Sequence, residues 1–495
     1  MVFSSTAFMF IFLPIVLLLY FNPIFKGRTY RNVILLIASL LFYAWGEPVF
    51  VLIMCFSIVL NWKLCLIMAG KEGRGRKHIL LAIVIYDLGL LFVFKYLSFV
   101  TRNLGLLFHD ESIVLDIALP IGISFFIFET LSYIYDVYYG NCKVQKSLLN
   151  VALYISMFPQ MVAGPIVRYD VVSEDISSRK ETLDDFSVGV QRFIYGLGKK
   201  VVISNNIAVV ADKAFELCEL GQLSTGMAYV GVLAYMIQLY FDFSGYSDMA
   251  IGLGRMFGFR FNENFDYPYM SQSVAEYWRR WHISLGTWFR DYVMYPIMRT
   301  RQINSLREYA GTKWGKSASK ILPTIVGTAV VWLFTGIWHG ANWTCLLWGI
   351  YHGLFVMVPI VFKDRIKKFQ TGKPWYNKLW AKALRIIRTM IIVGIGNVMF
   401  RSDSITQAFR YYGVLLGKGG AVDTLPYAQF YAWNYRYLFL IGIIGSYPVI
   451  GAVKKSGLNQ NVVAVLETIF LMGILAVSIG YLVRGSYNPF VYFNF

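Results

Sequence analysis

Charge is scarce in this chain, and negative charge is the scarcer sign. Only 15% of the 495 residues are Asp, Glu, Lys or Arg, with 28 acidic against 46 basic side chains, while 57% are hydrophobic and the mean hydropathy is +0.54. That is more apolar surface than a soluble core of this size needs, so the composition excludes a soluble globular protein and indicates a polytopic membrane protein. Cysteine is scarce as well. Cys55, Cys65, Cys142, Cys218 and Cys345 are scattered, odd in number and without CxxC spacing, which argues against a disulfide framework and a zinc site. No bound metal or cofactor is expected. The net charge of +18 does not point to nucleic acid, because the Lys and Arg residues fall between apolar segments rather than on one soluble face. Gly-x-Ser-x-Gly, His-Glu-x-x-His and Gly-x-Gly-x-x-Gly are also missing. Gly311–Ser317 imitates a phosphate-binding loop but is one residue short between its glycines and follows no strand pattern.

What is present is a series of apolar runs near membrane-crossing length. Phe8 to Phe21 lacks a basic n-region and a cleavage site, and reads as a retained first span rather than a signal peptide. Further runs cover Asn32 to Trp45, Pro48 to Met68, Ile79 to Val100, Ile113 to Ile134 and Leu148 to Val167; later ones cover Met227 to Leu253, Ile321 to Thr335, Trp343 to Phe362, Ile386 to Phe400, Tyr437 to Val453 and Val462 to Leu482. Their lengths predict about eleven to thirteen spans, with broken, re-entrant or interfacial segments between Val167 and Ala211. Lys26, Arg28 and Arg31 in one gap and Lys71 to Lys77 in another predict a cytosolic side for the basic gaps and an outer N-terminus. Two basic loops, Arg299 to Lys320 and Lys363 to Arg388, belong on the cytosolic side; they set topology or attract an acidic partner.

Three stretches carry candidate chemistry. In Gly336-Ile337-Trp338-His339-Gly340-Ala341-Asn342-Trp343 an imidazole closes an uncharged apolar run, where an ionisable group is either functional or a neutral hydrogen-bonding partner between helices. In Phe241-Asp242-Phe243-Ser244-Gly245-Tyr246-Ser247-Asp248 two carboxylates lie within an apolar span, where each must face the protein interior, a cavity or a cation. In Trp278 to Trp288 the spacing of Trp278, Trp281, Leu285 and Trp288 predicts one aromatic helical face, with His282 beside it and Arg279 and Arg280 flanking. A neutral imidazole can take the proton from an attacking hydroxyl, which suits acyl transfer from a thioester.

These stretches, with Phe158-Pro159-Gln160-Met161-Val162-Ala163-Gly164-Pro165, the opening Met1-Val2-Phe3-Ser4-Ser5 and the terminal Pro489-Phe490-Val491-Tyr492-Phe493, resemble the membrane-bound O-acyltransferase family over nearly the whole chain, most closely its alginate O-acetyltransferase branch. The resemblance implies an all-α polytopic fold around a central tunnel, in one transmembrane domain: N-terminal helices 1–167, a catalytic core 168–362 and C-terminal helices 363–495. It implies that His339 is catalytic with His282 supporting it; Asp242, Asp248, Arg280, Trp281, Trp338 and Asn342 are the candidate substrate-binding residues. It further implies acetyl-CoA as donor, an extracytoplasmic acetyltransferase or esterase-like partner, a polysaccharide acceptor and a bacterial plasma membrane location. Tyr295-Pro296-Ile297-Met298 and the basic insertion after it depart from the alginate branch. Peptidoglycan, cellulose, another exopolysaccharide or teichoic acid therefore stay open as acceptors, as does teichoic-acid D-alanylation from a carrier-protein thioester. A secondary transporter is the reading from another class, but no internal repeat of the His339 or Asp242 segment supports it.

Overall fold

In the computed structural model of the chain, described for residues 1–421, 426–455, 457, 459–485 and 487–489, the regular elements are helices, and among these residues the one extended pairing is a bridge between Phe265 and Trp281. The Phe490–Phe493 part of the terminal motif lies outside the described residues. Seven described helices are long and apolar enough to cross a membrane: Phe50–Ala69, Gly73–Phe108, Thr225–Met256, Arg301–His339, Trp343–Val361, Leu379–Arg401 and Gln460–Val483; Phe8–Tyr20 and Arg436–Gly445 are shorter apolar helices.

That is fewer than the eleven to thirteen spans the apolar runs predict, and the cause is local. The runs from Asn32 and from Ile113 form helices of 17 residues, Arg28–Ala44 and Ile123–Tyr139, at the lower limit for a span. Leu148 to Val167 breaks into Leu148–Ser156 and Phe158–Met161, with Pro159 in the second, and Tyr437 to Val453 breaks before Pro448. Proline supplies no N–H and disfavours the helical region for the residue before it, so a helix tends to break near one. The two basic segments are not loops. Arg299 to Lys320 continues into the Arg301–His339 helix through a kink at Gly315, whose φ of 86° is left-handed, and Lys363 to Arg388 holds the helix Lys363–Gln370 and the first turns of Leu379–Arg401.

The chain divides into two compact units. The first comprises 1–201, 243–263 and 471–488. Its opening motif is a hydrophobic plug: Phe3, fully buried, stacks on Tyr246 at 4.5 Å and meets Phe8 at 5.0 Å and Phe42 at 5.6 Å. Gln160 of the Phe158–Pro165 motif donates to the Tyr154 carbonyl at 2.6 Å, and Phe158 donates its N–H to Ser39. Glycines allow the helix Leu183–Gly198 to lie directly on Phe243–Met256. A Cβ on Gly196 would stand 2.5 Å from the Gly245 carbonyl oxygen, and one on Gly189 2.6 Å from that of Gly252.

Ionic clusters sit in this unit, on Glu181, on Asp185 and on Asp248. Glu181 takes Arg28 at 2.5 Å and Arg31 at 2.6 Å, accepts from the Tyr20 hydroxyl, and lies beside Arg179, whose side chain is fully buried and covers the Phe259 ring at 4.2 Å. Burial alone would raise the Glu181 carboxyl, but the hydrogen bonds from Arg28 and Tyr20 and the Arg28 and Arg31 charges bring it down to about 2. Of the described residues, the second unit comprises those within 202–242 and 264–470, with 489. It is built on the hairpin of Arg301–His339 with Trp343–Val361, backed by Leu379–Arg401. Burial separates lipid-facing helices from interior ones. The apolar window of Gln460–Val483 is 17% buried and that of Phe50–Ala69 28%, against 72% for Thr225–Met256, so the helix that carries Asp242 and Asp248 is an interior one, as buried carboxylates require.

Gly245→Val forces apart helices that have no space to yield and should cost roughly 1–3 kcal/mol, read as a lower thermal unfolding midpoint in detergent; an unchanged midpoint rules out the close helix contact. Because the folded pKa of Glu181 lies below its ordinary 4.5, its stabilisation is present above that value and fades as pH falls towards 2. Glu181→Gln should therefore unfold earlier than wild type at pH 7, with the gap narrowing at pH 3; a gap independent of pH would show that the charge is not what stabilises.

Candidate active site

The aromatic stretch does not form one helix. Val274–Arg280 ends, His282 takes a left-handed backbone with φ 47°, and Ile283–Phe289 begins anew. Asn264 causes the break. Its carbonyl oxygen accepts the Ile283 N–H at 3.0 Å, and its side-chain Oδ1 accepts the Ser284 N–H at 3.2 Å and hydroxyl at 2.9 Å. The same Oδ1 lies 3.2 Å from His282 Nδ1. An atom that accepts a backbone N–H is the amide oxygen, so Nδ1 carries the proton in this contact and Nε2 keeps the lone pair. Burial pulls the His282 imidazole down to about 3, which keeps it neutral at physiological pH.

His339 reaches the same place from another direction. It is the last residue of Arg301–His339, only 2% exposed, and glycines let the returning helix come close. A Cβ on Gly349 would lie 2.7 Å from the Gly336 Cα, and Gly353 rests on Trp332. The imidazole is thereby enclosed by Trp338 and Trp348, both at 4.8 Å between ring centroids, and Phe400 at 5.4 Å, each edge to face. The Trp338 ring also meets His282 at 5.9 Å. One buried indole therefore touches both imidazoles. His352 extends the aromatic group: it is fully buried, accepts from Trp278 Nε1 at Nδ1 (3.4 Å) and packs on Trp348 at 5.1 Å. His109, by contrast, is exposed at a helix C-cap.

The other residues singled out in the sequence have different surroundings. Arg280 pairs with Glu276 and Asp266, both at 3.1 Å. Trp281 is buried against Tyr277 and Phe265. Asn342 caps the start of the next helix, its Oδ1 accepting the Cys345 N–H at 2.7 Å and the Thr344 hydroxyl at 2.9 Å. Asp242 is fully buried on Thr225–Met256. Six helical positions further, and so about 120° around the axis, Asp248 belongs to the first unit, where Lys199 at 2.6 Å and Arg192 at 2.8 Å neutralise it and Arg192 also binds Glu263. His282, Trp338 and His339 are thus brought together, while Arg280, Asn342 and Asp248 have partners of their own. Asn264 had no signal in the sequence, because its role rests on a contact 18 residues away. Asn264→Ala removes the acceptor that the Ser284 and His282 donors share in this buried site and should cost roughly 1–3 kcal/mol; an unfolding midpoint equal to wild type would remove Asn264 from this role.

A family model described as MBOAT, membrane-bound O-acyltransferase family, matches residues 123–312, a range that includes Asp242, Asn264 and His282. Over the full length of both chains the protein is 38% identical to a Pseudomonas putida protein named probable alginate O-acetylase AlgI and 36% identical to one of the same name from Azotobacter vinelandii. It is also 30% identical to a Helicobacter pylori protein named peptidoglycan O-acetyltransferase, over 85% of this chain and 80% of that one. With its multi-pass helices and relatives matched from end to end, the chain belongs to the membrane-bound O-acyltransferase family and is a bacterial inner-membrane O-acyltransferase.

Proposed function

We propose that this enzyme passes acetyl groups from cytosolic acetyl-CoA across the membrane for O-acetylation of a secreted or cell-wall polysaccharide, with His339 as general base. The observation that carries the reading is the burial of two imidazoles on one indole at the end of a membrane-crossing helix. The names of relatives, alginate acetylases matched over their whole length and a peptidoglycan O-acetyltransferase matched over 80% of its length, support the acyl group and the polymer class. In the proposed step the acceptor hydroxyl gives its proton to His339 as its oxygen attacks the thioester carbonyl. The tetrahedral adduct then expels the thiolate, which leaves as the free thiol once the proton is returned. A site lined by tryptophans excludes water, so acyl transfer competes well with hydrolysis. His282, neutral and held at Nδ1 by Asn264, contributes an oriented hydrogen-bond acceptor rather than a second base. The polymer is reached through an extracytoplasmic partner that completes the transfer.

The test uses the purified protein in proteoliposomes with radiolabelled acetyl-CoA. His339→Gln should keep its unfolding midpoint and donor binding while losing about 10²–10⁴-fold in acyl turnover, the range general base catalysis supplies. Equal turnover in that variant would defeat the base assignment. Absence of any thioester turnover by the wild type, with solute flux surviving the substitution, would defeat the enzyme reading itself.

A further inference from the structure

A cavity of about 1100 Å³ opens in the second unit, lined by none of the histidines, between the second half of Trp343–Val361, the helix Lys363–Gln370 and the first turns of Leu379–Arg401. Its walls are aliphatic and aromatic. Leu354, Val358, Trp380 and Leu384 line it and are each about half exposed, an arrangement tolerated in lipid but not in water. Its rim is cationic. Arg365, Arg385 and Arg388 all border it, within a stretch, 363–388, that holds nine basic residues and Asp364 alone.

These guanidiniums are not equally committed. Arg385 stacks on the Tyr376 ring at 4.0 Å and gives its donors to Gln272 Oε1, at 3.0 and 2.7 Å, and to the Tyr376 carbonyl at 2.8 Å. Arg388 gives one N–H to the Gln272 carbonyl at 2.9 Å, and Arg365 lies against the Phe362 ring at 5.7 Å. Among the described residues neither Arg365 nor Arg388 has a carboxylate within ion-pair distance. A guanidinium has five donors, so each keeps several for an anion. An apolar cleft beneath uncompensated guanidiniums fits a molecule with the opposite order, a hydrocarbon chain below a phosphate. By the positive-inside rule this rim faces the cytosol, where the leaflet supplies anionic lipid. The aliphatic part of the wall, Leu354, Val358 and Leu384, offers no hydrogen-bond partner to the ribose and base edge of a soluble thioester.

We propose that the cavity is a binding site for one anionic glycerophospholipid, its acyl chain against Leu354, Val358 and Leu384 and its phosphate on Arg365 and Arg388. Gln272 and Val274, on the same wall, lead into the helix that ends beside His282, so a bound lipid braces the element on which that histidine is mounted. The full-length protein, incorporated in nanodiscs of equal phosphatidylglycerol and phosphatidylcholine with matched chains, is released and weighed by native mass spectrometry. The expected result is one retained phosphatidylglycerol, at least tenfold over phosphatidylcholine. Arg365→Gln with Arg388→Gln should abolish that preference, and Leu384→Trp, which fills the cleft with the arginines intact, should lower retention of both lipids tenfold. Equal retention of the two lipids by wild type, or phosphatidylglycerol retention untouched in both variants, overturns the site. Displacement of the lipid by millimolar acetyl-CoA also overturns it, because the cavity would then belong to the donor.

Discussion

The contact of Gly336 with Gly349 is the constraint from which the candidate site follows. Any side chain at Gly349 would meet backbone on the facing helix, so only glycine allows Arg301–His339 and Trp343–Val361 to meet this closely. That approach turns the end of the first helix inward and sets His339 between Trp338, Trp348 and Phe400. Small residues at helix crossings serve membrane proteins in this way because lipid gives helices no hydrophobic reason to associate, and van der Waals contact has to do so instead. The same solution recurs in the first unit at Gly196 with Gly245 and Gly189 with Gly252.

A second constraint is polar. Burying an imidazole without partners is costly, and the structure meets that cost at His282 by giving up helical continuity. Asn264 supplies an acceptor at the point where the backbone turns left-handed, so the residue that breaks the helix also sets which nitrogen of His282 holds the proton. A straight helix would have carried Trp278, Trp281, Leu285 and Trp288 on one face and left His282 at its side. The break instead sends Trp281 into a stack with Tyr277 and brings His282 against Trp338.

Charge is used sparingly, and mostly in pairs. Glu181 gathers Arg28 and Arg31, Asp248 gathers Arg192 and Lys199, and Arg280 is held by two carboxylates. Removing one member of such a group leaves an uncompensated charge where water is limited. The arginines around the apolar cleft near Trp380 are the contrast, since they border hydrocarbon-lined space and, among the described residues, Arg365 and Arg388 have no carboxylate within ion-pair distance.

The sequence by itself determined the class of molecule: apolar runs near 20 residues can only be satisfied in a bilayer as helices, since a helix pairs its own backbone. It also determined that His339, His282 and the two aspartates are the groups to examine, because polar residues at membrane depth stand out against an apolar background. Only the tertiary structure decided what each of them meets. Periodicity assumes an unbroken helix, so it could not reveal the turn at His282 or the prolines that shorten the Leu148 and Tyr437 runs. Nor could it separate Asp248, neutralised by two cations, from Asp242 on the same helix, because partners 49 and 56 residues away leave no trace in local spacing. The indole of Trp338 was legible as a neighbour of His339 along the chain. Its contact with His282 belongs to the fold alone, since two residues 56 positions apart are brought together only when helices close on one another.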